Sequence, residues 1–117
     1  MSLAFSSDAE FVEQRAQPRR RVIAPAILAF GGNAFTPDCV IRNLTPRGAA
    51  VRMEPGLALP GHVALIELAI GRAHEARVAW HRNGFVGLEI VSTRDLRSAG
   101  SNDPLRQLWI DRLPRVR

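Results

Sequence analysis

The chain has 117 residues, 46% of them hydrophobic, and a formal charge of +5 from 16 basic and 11 acidic side chains. That length predicts one compact domain whose core needs neither disulfides nor metals, and the apolar content excludes a disordered chain. The single cysteine, Cys39, excludes an intrachain disulfide framework and a cysteine-cluster zinc site, and is expected as a small buried residue in a reducing cytoplasm.

Residues 1–14 read as a loosely held polar leader. They lack the charged start and sustained apolar stretch of a signal peptide, and no apolar run reaches the length of a membrane span, so the expected compartment is the cytoplasm. Arg15, Arg19, Arg20 and Arg21 follow, with Pro18 between them. Val22 to Phe30 is an apolar strand interrupted by Pro25, which predicts an edge strand or a strand with an irregular start. Gly31-Gly32-Asn33 turns the chain back into a strand through Cys39-Val40-Ile41. Asn43 to Gly48 is a polar break, and Ala49 to Met53 is the next strand.

His62 to Ile70 alternates, and the parity of Ile66, Leu68 and Ile70 is expected to face the core. Gly71-Arg72 turns the chain, and Glu75 to His81 and Phe85 to Val91 form a hairpin around the favoured pair Asn83-Gly84. Short strands at this spacing, joined by Gly and Pro turns, predict an all-β barrel or sandwich. The last element differs. Asn102 or Asp103 can cap a helix over about 102–113, with Pro104 in its first turn, Leu105, Leu108 and Trp109 on one face, and Pro114 as its stop.

Enzyme chemistry has little support in these residues. His62, His74 and His81 have no metal-ligand spacing and read as exposed strand ends, and Glu67, Glu75 and Glu89 show no acid–base spacing. Neither a GxSxG elbow nor a GxxxxGK loop occurs. No catalytic residue, metal or cofactor is expected.

Two segments carry more specific chemistry. All 16 basic residues are arginine, whose planar guanidinium donates paired hydrogen bonds and stacks on flat rings, as lysine cannot. In an extended segment, Arg15 and Arg19 can approach one ligand from different sides. The ordinary reading of the same run is a solvated basic tail. Asn43-Leu44-Thr45-Pro46-Arg47-Gly48 offers an amide that can read a purine edge, a hydroxyl, and a glycine that allows close approach. Its ordinary reading is a turn.

Together, in this order and on an all-β background, the segments resemble the PilZ domain family, whose pattern is R-x-x-x-R before the first strand and [D/N]-x-S-x-x-G about one hairpin later. Here these are Arg15 to Arg19 and Asn43 to Gly48, with Thr45 in the serine place. Ala76-Arg77-Val78-Ala79-Trp80 and Val86-Gly87-Leu88-Glu89-Ile90 look like the family's closing hairpin, and the similarity spans roughly residues 13–112.

The resemblance implies a six-stranded antiparallel β-barrel over 15–113 with a C-terminal helix, and a receptor for the bacterial second messenger cyclic di-GMP. Arg15 and Arg19 would then hold phosphates and guanine, Asn43 and Thr45 would meet a guanine edge, and Gly48 would shape the turn. Arg20, Arg21 and Arg47 are further candidate contacts, and Trp80 is expected in the core. Like-charge repulsion and the absence of apolar periodicity predict that residues 1–21 are mobile until a dianionic ligand draws them across the barrel. The output would be an effector protein, or a homodimer around a stacked ligand pair.

The competing readings are a barrel of the same fold that docks a protein without nucleotide, and a nucleic-acid binder. The second has charge in its favour. Five Phe, two Trp and no Tyr make a thin base-stacking platform against it.

Overall fold

The computed structural model describes residues 20–100 and 102–113. Among them, strands β1 (Arg20–Ala29), β2 (Asp38–Leu44), β3 (Gly48–Met53), β4 (His62–Glu67), β5 (Arg72–Arg82) and β6 (Phe85–Asp95) precede the helix α1 (Pro104–Arg112). The strands close into an antiparallel barrel in the order β1-β2-β3-β6-β5-β4. This is the six-stranded barrel with a C-terminal helix expected of the chain. The predicted leader, residues 1–14, and both Arg15 and Arg19 lie outside the described residues.

Period-two alternation builds the interior. Cys39 and Ile41 of β2, and Ala49, Val51 and Met53 of β3, point inward and are buried, while Val40, Arg42 and Arg52 point out and are exposed. Leu28, Val63, Leu65, Val86 and Leu88 complete the barrel core. Burying each such side chain contributes about 1.5–3 kcal/mol.

A second apolar layer lies outside the barrel wall. Ile27, Ala29, Ala64, Ile66 and Ala73 face outward from β1, β4 and β5 and pack with Leu96 and with Leu105, Leu108 and Trp109 of α1. This explains why β4 is buried on both faces. Both parities of that strand face a core, and Ile66 does so as expected. Leu68 and Ile70, expected on the same strand face, fall in the turn after β4, and Ile70 is exposed.

The helix is fastened along its length. Asp103 is the N-cap, its carboxylate accepting from Leu105 N at 2.9 Å, and Pro104 opens the first turn, where its missing N–H costs nothing. The Trp109 indole N–H donates to Leu68 O at 2.8 Å. Beneath it, Gly71 has φ +69° and no room for a Cβ, which would sit 2.6 Å from Trp109 Cζ2. Arg112 reaches Asp38 and the Thr36 carbonyl. Leu113 caps the end in an extended conformation, as a residue before proline prefers.

Pro25 is not on a sheet edge, because the barrel is closed. It pairs with Val40 of β2, one residue beyond the last β1–β4 rung, Ala26 to Glu67. Its carbonyl accepts from Leu68 N at 3.3 Å. The N and O of one strand residue point the same way, so the missing donor also faces the side where β4 has ended, and no rung is lost. Upstream, a register shift between Arg21 and Ala24 bends β1 and leaves Ile23 exposed. No helix among the described residues is long and apolar enough to cross a membrane.

Candidate functional site

The β2–β3 connection is shorter than the polar break in the sequence suggests. Asn43 and Leu44 belong to β2, Gly48 opens β3, and only Thr45, Pro46 and Arg47 lie between. Thr45 closes the turn in two ways. Its N–H donates to Gly48 O at 2.9 Å, and its hydroxyl accepts from Gly48 N at 3.0 Å and Arg47 N at 3.2 Å. The hydroxyl thereby does locally what a backbone carbonyl does in an ordinary turn. Arg47 O accepts from Ile90 N at 2.8 Å, which pins the loop to β6. Gly48 allows a close approach to β6, since a Cβ there would lie 3.1 Å from Leu88 O, tighter than ordinary van der Waals contact.

Strand register then places a row of residues across the outer face: Asn43 opposite Ala50, Ala50 opposite Gly87, and Gly87 opposite Trp80. The two middle members are small, so the row sinks between its ends. The result is a groove of about 270 Å³, bounded by Asn43, Leu44, Thr45 and Gly48 on one flank and by Ala79 and Trp80 on the other. Among the described residues that line it, none is a carboxylate.

Asn43, Thr45 and Gly48 are therefore brought together on one concave surface. The beginning of β1 is brought beside them, because Arg20 pairs with Leu44 and Arg21 with Asn43. Arg47 is exposed at the loop and contributes its backbone to the turn. One rung away, Gly48 faces Glu89 and Glu89 faces Arg77, whose guanidinium is 3.4 Å from the Glu89 carboxylate.

Two expectations are corrected. Trp80 is not a core residue: it is 52% exposed and forms one wall of the groove. Its ring lies against Gly87, where any Cβ would overlap the indole Nε1. The sequence carried a signal for this. A two-residue Asn83-Gly84 turn fixes the pairs that follow it, and those pairs set a tryptophan opposite a glycine, a known cross-strand pairing in sheets.

His74 is the second correction. His62 and His81 are exposed, but His74 is buried within the barrel. Its Nε2 lies 2.6 Å from Glu67 Oε2 and its Nδ1 lies 2.8 Å from Thr93 Oγ1. The spacing in sequence hid this contact, which depends on β4, β5 and β6 being neighbours. The chain satisfies polar groups that would otherwise be buried unpaired. Among the described residues no cluster of His, Cys, Asp and Glu could hold a metal ion.

No family model matches this sequence. No curated protein is significantly similar to it.

Proposed function

We propose that this chain is a PilZ-like receptor that binds cyclic di-GMP at the outer-face groove and passes the signal to a partner protein. The observation that carries the reading is the convergence of Asn43, Thr45 and Gly48 on one groove, with the first residues of β1 paired against Leu44 and Asn43. Arg19 precedes the described end of that strand by one peptide bond, so the arginine segment joins the barrel where the loop lies.

In this reading the Asn43 amide offers a donor and an acceptor to a guanine edge, and the Thr45 hydroxyl, whose two acceptor sites are taken by the N–H groups of Arg47 and Gly48, offers its O–H as a donor in place of its 3.3 Å bond to Gly48 O. Arg15 and Arg19 supply the charge a phosphate diester needs, with paired hydrogen bonds that a lysine would not give. Arg20, Arg21 and Arg47 are auxiliary contacts. The ligand would hold residues 15–19 against the barrel and so create the surface an effector meets.

Titration calorimetry with cyclic di-GMP on the wild-type protein and on Arg19→Ala tests this. A saturable heat from the wild type that Arg19→Ala loses or weakens at least tenfold supports it. Equal heats from both proteins, or none from the wild type, overturn it.

A further inference from the structure

We infer that a second row on the same outer face docks an acidic α-helix of a partner protein. The row is Val40, Arg52, Phe85 and Arg82. It lies outside the groove, and it does not rest on the cyclic di-GMP reading.

Strand register builds the row. Val40 of β2 pairs with Arg52 of β3, Arg52 with Phe85 of β6, and Phe85 with Arg82 of β5. Arg52, Phe85 and Arg82 stand two positions from Ala50, Gly87 and Trp80, so the two rows share one face. All four side chains are exposed, Phe85 at 42% and Val40 at 37%. The hairpin that carries Arg82 and Phe85 is tied to β3, because Met53 N–H donates to Gly84 O at 2.7 Å.

The charge of the row is uncompensated. Arg77, Arg94, Arg97 and Arg112 each pair with a carboxylate. Among the described residues, no carboxylate pairs with Arg52 or Arg82. Asp38, two positions from Val40, is held by Arg112, and Glu54, just beyond β3, joins neither arginine. Two guanidinium groups thus flank an exposed aromatic ring, an arrangement complementary to carboxylates with an apolar side chain between them.

The ring itself favours a protein over a nucleic acid. The Arg52 guanidinium carbon lies 5.4 Å from the Phe85 ring centroid. It therefore occupies a ring face on which a base would stack. A guanidinium lying on a ring still presents its N–H edge to a carboxylate.

Spacing favours a helix over an extended peptide. Only β6 separates β3 from β5, so at about 4.8 Å per strand the two arginines are rooted about 9–10 Å apart. Two turns of α-helix, from i to i+7, rise about 10.5 Å, with i+3 and i+4 between them on the same face. An extended peptide repeats its face at about 6.7 and 13 Å, and matches less well. Carboxylates seven residues apart would meet Arg52 and Arg82, and the apolar residues between them would cover Phe85.

The test follows the fluorescence anisotropy of a labelled, alanine-based helical peptide, without cyclic di-GMP. The peptide carries two glutamates seven residues apart, with leucines at the third and fourth positions after the first. A second peptide of the same composition sets the glutamates on opposite faces. Wild type should bind the first saturably, and at least about fivefold more tightly than the second. The double variant Arg52→Glu, Arg82→Glu should weaken binding at least about tenfold, and Phe85→Ser at least about fivefold. Arg97→Glu, beyond the far end of β6, should bind as wild type does. Raising salt from about 0.1 M to about 1 M should weaken the wild-type complex.

No binding by wild type, equal binding of the two peptides, or an unchanged affinity in the double variant overturns the inference. So does wild type that ignores the peptide but binds an oligothymidylate strand or phosphatidylserine vesicles through these arginines, which assigns the row to a nucleic acid or a membrane. The comparison of the two peptides needs only wild-type protein. With no nucleotide present, none of these outcomes bears on the cyclic di-GMP reading.

Discussion

His74 and Glu67 form a buried pair inside the barrel, with Nε2 and Oε2 2.6 Å apart. They come from adjacent strands, β4 and β5, and on the far side of the imidazole Nδ1 lies 2.8 Å from Thr93 Oγ1 of β6. The pair ties three strands together at one end of the barrel. Removing one member strands the other's polar atoms away from water. Glu67→Ala and His74→Ala should each cost about 1–3 kcal/mol, and the double variant should cost clearly less than their sum, because it leaves no orphan. Urea unfolding of the four proteins checks this. Additive losses would mean the pair is not coupled.

Cys39 faces the barrel interior, and burial pushes its thiol up to about 12, with the neighbouring Asp38 charge adding to the shift. The thiolate is the reactive form, so the folded protein should resist iodoacetamide at pH 8. Unfolding in urea should expose the residue and restore ordinary alkylation. Mass spectrometry of native and denatured samples reads the difference. Prompt modification of the native protein would contradict the interior placement.

Thr45 offers a sharper separation of roles. Its hydroxyl accepts from two backbone N–H groups of its own loop, so Thr45→Ser should leave the turn intact, whereas Thr45→Val keeps the shape and loses the acceptor. Thr45→Val should cost about 0.5–1.5 kcal/mol of stability, the net worth of such a bond. Thr45→Ser should stay within about 0.5 kcal/mol of wild type. Thermal melts of the three proteins decide it.

The strand pattern was legible because each strand obeys one rule. Apolar runs between turn residues marked the strands through Cys39-Val40-Ile41 and Ala49 to Met53, and the Asp103-Pro104 pair marked the helix start. What alternation could not show is what covers a face. β4 is apolar on both sides because α1 closes over its outer side, and nothing within β4 says which side the barrel takes. Pro25 suggested an edge strand or an irregular start, because a proline forbids a ladder bond; the closed barrel has no edge, but β1 does start irregularly, with a register shift between Arg21 and Ala24, and the end of β4 removes the conflict at Pro25 itself. Trp80 and His74 were misplaced for a common reason. Tryptophan is usually buried and histidine usually exposed, and in both cases a cross-strand partner, Gly87 or Glu67, reversed the default. The turn at Thr45 and Gly48 was legible because Asn, Thr, Pro and Gly are turn formers, whereas the groove that Asn43, Thr45 and Gly48 share with Trp80 depends on strand register.

The attachment of α1 should depend on acid in a predictable direction. Arg94 grips Asp103 through Nε to Oδ2 at 3.0 Å and Nη2 to Oδ1 at 3.1 Å, and its remaining nitrogen reaches Glu75 Oε2 at 3.1 Å. The Arg94 hydrogen bonds, aided by the backbone N–H of Leu105, hold the Asp103 carboxyl below its ordinary value of 3.8 against a smaller opposing effect of burial. A depressed folded-state value means the unfolded chain takes up the proton first. The stabilisation is therefore complete above the ordinary carboxylate range, about pH 4, and is lost as pH falls through the lower folded value. Asp103→Asn keeps a cap acceptor and loses the charge, so it should remove most of this acid dependence while retaining the helix. Asp103→Ala loses cap and ion pair together and should cost at least the roughly 0.5–2 kcal/mol of a lost N-cap. Urea midpoints measured from pH 6 down to pH 2 provide the check. The gap between wild type and Asp103→Asn should be widest near neutral pH and close towards pH 2, and a gap that stayed constant across that range would show that the Arg94–Asp103 charge pair does not hold the helix.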